Sequence, residues 1–221
     1  WSLGGYLMVR NPHSTFGYNQ RMAAIPAIHE PRTSHAGLRL KAADFFALPD
    51  DGRRYELLDG VVIMSPSPTP RHQYISGMIF RALAEFVEAN ELGLVLYETD
   101  VNFGRAPLGT DIVYRPEIVF IRQERVARLG RRIDFAPDLV VEVISPDSRS
   151  LDTHTKRDDY ERAGVREYWL IDPIDEKMTF FRLKGDKYIE VPPGPTHYES
   201  EAVPGFRLDL EGVRSACRTI A

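Results

Sequence analysis

A mixed β-sheet packed against helices, in the α/β or α+β class, follows from three features of the sequence. Short apolar runs of strand type, at 139–144 and 167–171, alternate with helical stretches. A hairpin signal stands at Asp59-Gly60, between Tyr55-Glu56-Leu57-Leu58 and Val61-Val62-Ile63-Met64. A long amphipathic helix opens at Pro70, with Ile75, Ile79, Leu83, Phe86 and Val87 on one stripe.

The elements follow in order. Residues 41–48 read as a short helix. Asp59-Gly60 suits a two-residue type I′ turn, which needs positive φ at both positions. Residues 65–70 are a Pro- and Ser-rich loop. Thr69 is the expected N-cap of the long helix, Pro70 its first residue, and Asn90 and Gly93 its stop. Extended segments are expected at 94–103 and 112–121, then a short basic helix at 124–129. After the apolar run at 139–144, residues 152–163 read as a helix closed by Gly164, and 167–171 as a strand. A second hairpin is expected around Lys184, Gly185 and Asp186. The organisation expected is an N-terminal extension at 1–36, one domain at 37–195 and a C-terminal segment at 196–221.

Composition narrows the function classes. The 221 residues are 43% hydrophobic and 27% charged, which argues against wholesale disorder. The one cysteine, Cys217, excludes an intrachain disulfide framework and a Cys-rich zinc site. No apolar run approaches the ~18–20 residues of a membrane helix. Residues 1–10 lack a basic start followed by an apolar stretch, so the expectation is no signal peptide and a cytoplasmic location. A net charge of −4 argues against an electrostatic coat on nucleic acid, yet it allows an acidic metal centre.

The chemistry concentrates in three segments. In the run from Asp138 to Ile144, strand alternation turns Asp138, Val140, Glu142 and Ile144 one way and Leu139, Val141 and Val143 the other. Glu142 thus sits among residues that favour burial. An edge strand facing water, an ion pair or a bound metal would each satisfy it. Glu117, in Arg115-Pro116-Glu117, opens another apolar strand, and neighbouring strands would bring the two carboxylates together. A hard cation such as Mg²⁺ takes such oxygen ligands. Lys156 and Tyr160 lie four apart on a helix, where Lys156 could reach the same site or simply pair with Asp152 in solvent. Glu56 in the first hairpin is a further acidic candidate. His72, with Arg71, stands at a helix N-terminus, where phosphate is attracted. Arg122, Arg125, Arg128, Arg131 and Arg132 form a basic stretch near the Glu117 strand; on a helix the first three would share a face, a stripe that could track a DNA backbone or face solvent.

These residues also carry a resemblance. The runs Tyr55-Glu56-Leu57-Leu58-Asp59-Gly60, Ser65-Pro66-Ser67-Pro68, Arg71-His72-Gln73 and Arg115-Pro116-Glu117 are similar to the Uma-two family. So are Ala136-Pro137-Asp138-Leu139-Val140-Val141-Glu142-Val143-Ile144-Ser145-Pro146, Lys156, Tyr160 and the run from Ala163 to Pro173. That family comprises bacterial restriction-endonuclease-type proteins of the PD-(D/E)xK nuclease superfamily. The resemblance implies a restriction-endonuclease-like core, a mixed central sheet flanked by helices. It also implies an Mg²⁺-dependent endonuclease acting on DNA, with Mn²⁺ as a substitute metal. Glu117 and Glu142 match the acidic positions. Ile144 stands where the superfamily usually has lysine, which leaves Lys156 on the following helix as the candidate. Glu117 stands where aspartate is usual. These departures support a second reading, a nuclease-fold protein that binds nucleic acid or protein without turnover. A homodimer is expected by analogy with nucleases that cut two strands.

Overall fold

The computed structural model describes residues 34–105, 111–146 and 148–220. The extension read at 1–36 lies outside the described residues apart from 34–36. The helices are α1 (Ala42–Phe45), α2 (Pro70–Ala89), α3 (Gln123–Val126), α4 (Arg157–Ala163) and α5 (Leu210–Thr219). The strands are β1 (Tyr55–Leu58), β2 (Val61–Met64), β3 (Gly93–Tyr97), β4 (Val101–Arg105), β5 (Asp111–Tyr114), β6 (Ile118–Arg122), β7 (Leu139–Val143), β8 (Glu167–Asp172), β9 (Lys177–Lys184), β10 (Lys187–Glu190), β11 (His197–Glu199) and β12 (Arg207–Asp209).

A six-stranded mixed sheet runs β10-β9-β8-β7-β6-β3, with β7 and β8 parallel and the other neighbours antiparallel. A four-stranded antiparallel sheet runs β2-β1-β5-β4. Strand alternation sorts the core into two layers. Ile118, Phe120, Leu139, Val141, Val143 and Trp169 face α2, α5 and the β11–β12 hairpin. Val119, Ile121, Val140, Ile144 and Tyr168 face the other way, onto Tyr160 of α4 and onto Val101, Ile112 and Tyr114 of the smaller sheet. A third cluster, with Phe45, Leu57 and Val113, lies under α1.

Several local expectations hold. Asp59 and Gly60 take φ of 48° and 73° in the β1–β2 turn. The Thr69 hydroxyl accepts the N–H of His72 at 3.2 Å, capping α2. Ile75, Ile79, Leu83 and Val87 of α2 are wholly buried. Gly164 ends α4 at φ 83°. The C-terminal segment supplies Tyr198, Phe206, Leu208, Leu210 and Val213 to the main core.

Three expectations change. The extended segments at 94–103 and 112–121 each break into two strands that belong to different sheets. The first turns at Glu98, whose φ is 45°, and the second at Arg115-Pro116-Glu117, where Pro116 has no N–H to continue a ladder. The backbone N–H of Glu98 donates to the Glu117 carbonyl at 2.9 Å, locking the two crossovers together. The helix read over 152–163 is a π-helical segment, Leu151–Lys156, continuing into α4. The basic helix is shorter than read. Arg122 precedes α3 and Arg128 follows it, so the three arginines do not form one helical stripe.

Candidate active site

Glu142 lies on β7, in the middle of the six-stranded sheet, and is 2% exposed. The edge-strand option is thereby removed. The β6–β7 register pairs Ile118 with Val141, so one step outward sets Glu117 opposite Glu142. Glu117 accepts the N–H of Val143 at 3.2 Å and stands 3.1 Å from His72 Nε2. Its side chain keeps 18% of its exposure, which opens it to a cleft.

Lys156 ends the π-helical segment and points into the same place. Its Nζ lies 3.1 Å from Glu142 Oε1, 3.1 Å from Glu56 Oε1 and 3.6 Å from Asp152 Oδ1. The Tyr160 hydroxyl donates to Glu142 Oε1 at 2.6 Å. Glu56, on β1, also accepts the N–H of Arg115 at 2.8 Å, which ties the smaller sheet to the crossover. A π-helical turn places successive side chains differently from an α-helix and recurs at functional sites. Here it carries Asp152 and Lys156, both buried.

Glu56, His72, Glu117, Glu142, Asp152 and Lys156 line a cleft of about 220 Å³, with Tyr160 behind Glu142. Glu98, Arg54 and Arg115 form its rim. Arg54 lies 2.7 Å from Glu98, and Asp100 chelates Arg115 at 2.6 and 3.0 Å.

The electrostatics are those of a cleft with too few cations. Burial pulls the Lys156 ammonium towards neutrality, but Glu142, Glu56, Asp152 and Glu117 outweigh it, and its pKa stands well above the ordinary lysine value. Burial, and then the charge of Glu117, push Glu142 well above the usual carboxylate range. Burial likewise raises Glu117, and it lifts Asp152 to about 7. Burial lowers His72, whose Nε2 stands 3.1 Å from Glu117 Oε1. The carboxylates of Glu56, Glu117, Glu142 and Asp152 thus share the single ammonium of Lys156. Among the described residues, no group of three or more His, Cys, Asp or Glu closes into a metal cage.

A family model for Uma2, described as "Putative restriction endonuclease", matches residues 42–211. The chain belongs to the Uma2 family. It is also similar to the crystal structure of a "putative nuclease belonging to DUF820" from Anabaena variabilis. The TM-score is 0.68 at 20% identity, covering 80% of this chain and 99% of that one, a likeness of fold. No curated protein matches.

Of the residues singled out in the sequence, Glu117, Glu142, Lys156, Glu56 and His72 meet in this cleft. His72, a candidate phosphate contact, lines the cleft 3.1 Å from Glu117. The arginines read as nucleic-acid contacts stand elsewhere. Arg71 Nε donates to the Ile220 carbonyl at 2.5 Å. Arg125 lies 2.9 Å from the fully buried Asp138 and stacks on Phe135. The Arg122 N–H donates to Asp138 at 3.0 Å, and Arg128 also stacks on Phe135. Arg122 and Arg125 neutralise a buried carboxylate, and Arg125 and Arg128 cover an aromatic ring, roles that account for the charge clustered there. Asp152 and Tyr160, which the sequence does not single out as site residues, both contact the Lys156–Glu142 pair. Their signal was present, since Asp152, Lys156 and Tyr160 recur every four residues.

Proposed function

We propose that this protein is a divalent-metal-dependent endonuclease that hydrolyses phosphodiester bonds in DNA. The observation that carries the reading is the cross-strand pair of Glu117 and Glu142, with Lys156 Nζ 3.1 Å from Glu142. The donor set fits Mg²⁺. Glu117 and Glu142 offer hard carboxylate oxygens, and the cleft holds more negative charge than Lys156 offsets. Mg²⁺ is commonly held by one or two carboxylates with water completing its shell, so a closed cage of protein ligands is not needed. When bound, the ion would favour deprotonation of an attacking water and stabilise charge on phosphoryl oxygens.

The chain's own residues set the geometry. His72 and the Val143 N–H hold the two oxygens of Glu117. Tyr160 and Lys156 fix Glu142 Oε1. The Lys156 ammonium, kept protonated by its neighbours, is the group placed to offset charge developing on the phosphate or to orient the attacking water. Arg54 and Arg115, at the rim, are positioned to receive a phosphate arriving from solvent.

The test incubates the full chain with supercoiled and linear DNA over a range of Mg²⁺ and Mn²⁺. Cleavage that requires the cation and is lost in Glu117→Ala supports the reading. No cleavage with either cation overturns it in favour of a nuclease-fold binding module.

A further inference from the structure

An open groove of about 500 Å³ adjoins the cleft and shares Glu98 and Arg115 with it. Its far wall carries Phe46, Arg131 and Arg132. The fold holds these residues in place. Ile133 is buried and bridges Val101, and its carbonyl accepts the Asn102 N–H at 2.8 Å. This fastens the turn bearing Arg131 and Arg132 alongside β4. The guanidinium of Arg132 lies 4.0 Å from the centre of the Phe46 ring, a cation–π stack. Phe46 closes α1, whose first N–H, at Ala42, donates to Asp111 at 2.6 Å. Arg131 is exposed and has no ion pair among the described residues.

We propose that this groove seats the single nucleic-acid strand flanking the bond to be cut. One backbone phosphate sits on Arg131 and the next between Arg115 and Arg132, while an unstacked base lies on the Phe46–Arg132 platform. The inference rests on the nuclease reading of the cleft and adds to it the path of the substrate. Three observations favour this occupant. The groove is continuous with the cleft through Arg115. Its guanidiniums suit phosphates, which bind Arg through paired N–H donors: Arg131 has no ion pair among the described residues, Arg132 pairs with the exposed Asp134 at 3.4 Å, and Arg115 is held by Asp100, which with Glu98 also lines the groove. Its aromatic and guanidinium planes suit the face of an unpaired base, which a duplex keeps covered. Of the other arginines singled out in the sequence, Arg122 and Arg125 are engaged at Asp138, Arg128 on Phe135 and Arg71 at the Ile220 carbonyl.

The experiment measures binding of a fluorescein-labelled single-stranded DNA oligonucleotide to the full chain by anisotropy, in Ca²⁺ buffer, across a salt series. The double variant Arg131→Ala/Arg132→Ala should bind about tenfold more weakly. Its slope of log affinity against log salt should fall by about 1.4, from two lost phosphate contacts at ~0.7 each. Phe46→Leu should also bind about tenfold more weakly but keep the wild-type slope, because stacking releases no counterion. The charge-matched control Arg214→Ala/Arg218→Ala, on α5, should stay within about twofold of wild type, as exposed surface substitutions away from a contact have small effects. A double variant that binds like this control overturns the groove. If that happens while the wild type still cleaves DNA, the nuclease reading stands alone. If the wild type binds through the groove but no divalent cation supports cleavage, the groove stands and the nuclease reading falls. A wild type that binds no nucleic acid overturns both.

Discussion

The ammonium of Lys156 lies 3.1 Å from Oε1 of Glu142, with both side chains buried. Burial penalises both charges. The ammonium survives because the carboxyl groups of Glu142, Glu56 and Asp152 surround it, and it in turn opposes the rise that burial imposes on Glu142 and Asp152. Function and stability are therefore coupled at this residue.

Lys156→Met keeps the length and volume of the side chain and removes the charge. Glu142 and Glu56 would then be buried with no cation beside them. Unfolding in urea at about pH 8 should show a loss of ~3–5 kcal/mol. The loss should shrink at about pH 5, where the carboxyls can take up protons instead. A loss of equal size at both pH values would contradict the mutual dependence of these charges.

Tyr160→Phe removes one donor from Glu142 and leaves the ring packed against Tyr114 and Tyr168. A destabilisation of ~1–3 kcal/mol is expected for the lost bond to a buried carboxylate. DNA cleavage should slow as well, because Glu142 loses its orienting contact. Unchanged stability together with unchanged cleavage would show that the hydroxyl plays no part.

Asp152 gives a pH signature. Its pKa rises from 3.8 to about 7 on folding, through burial first. The folded chain thus holds this proton more tightly than the unfolded chain. As pH rises from about 4 to about 7, the unfolded chain has released the proton and the folded one has not, so this group's contribution to stability falls across that window. His72 acts with the opposite sign. Its lowered pKa costs stability as pH drops below its unfolded value of 6.5. The comparison is therefore made against Asp152→Asn, followed by thermal unfolding across the window. The variant should lose part of the wild-type decline between about pH 4 and about pH 7. Parallel curves for the two proteins would rule out the assigned role of Asp152.

Much of this was legible in the sequence because it was written in local rules. Asp59-Gly60 specified its turn, Thr69-Pro70 its helix start, and the alternation around Glu142 its two faces. The acidic pair was legible because β6 and β7 are neighbours in the sheet. What was hidden depended on tertiary contacts. The switch between sheets at Glu98 and Pro116 leaves only a proline in the sequence, yet it brings Glu98, Arg115 and Glu117 to one cleft. The π-helical turn at 151–156 leaves no periodicity of its own. The arginines near α3 misled because a buried partner, Asp138, lies beyond their own segment. Their charge answers that carboxylate, whereas Arg131 and Arg132, at the end of the same basic stretch, face the groove.

The most direct measurement compares wild type with Glu142→Gln for Mg²⁺-dependent cleavage of supercoiled DNA, with unfolding curves recorded alongside. Glutamine keeps the shape of the side chain and can still accept from Lys156 and Tyr160, so the fold should persist. The account predicts cleavage by the wild type and a loss of at least ~100-fold in the folded variant, as for removal of a group that acts on the transition state. A folded Glu142→Gln protein that cleaves at the wild-type rate would contradict the assignment of Glu142 to the catalytic centre.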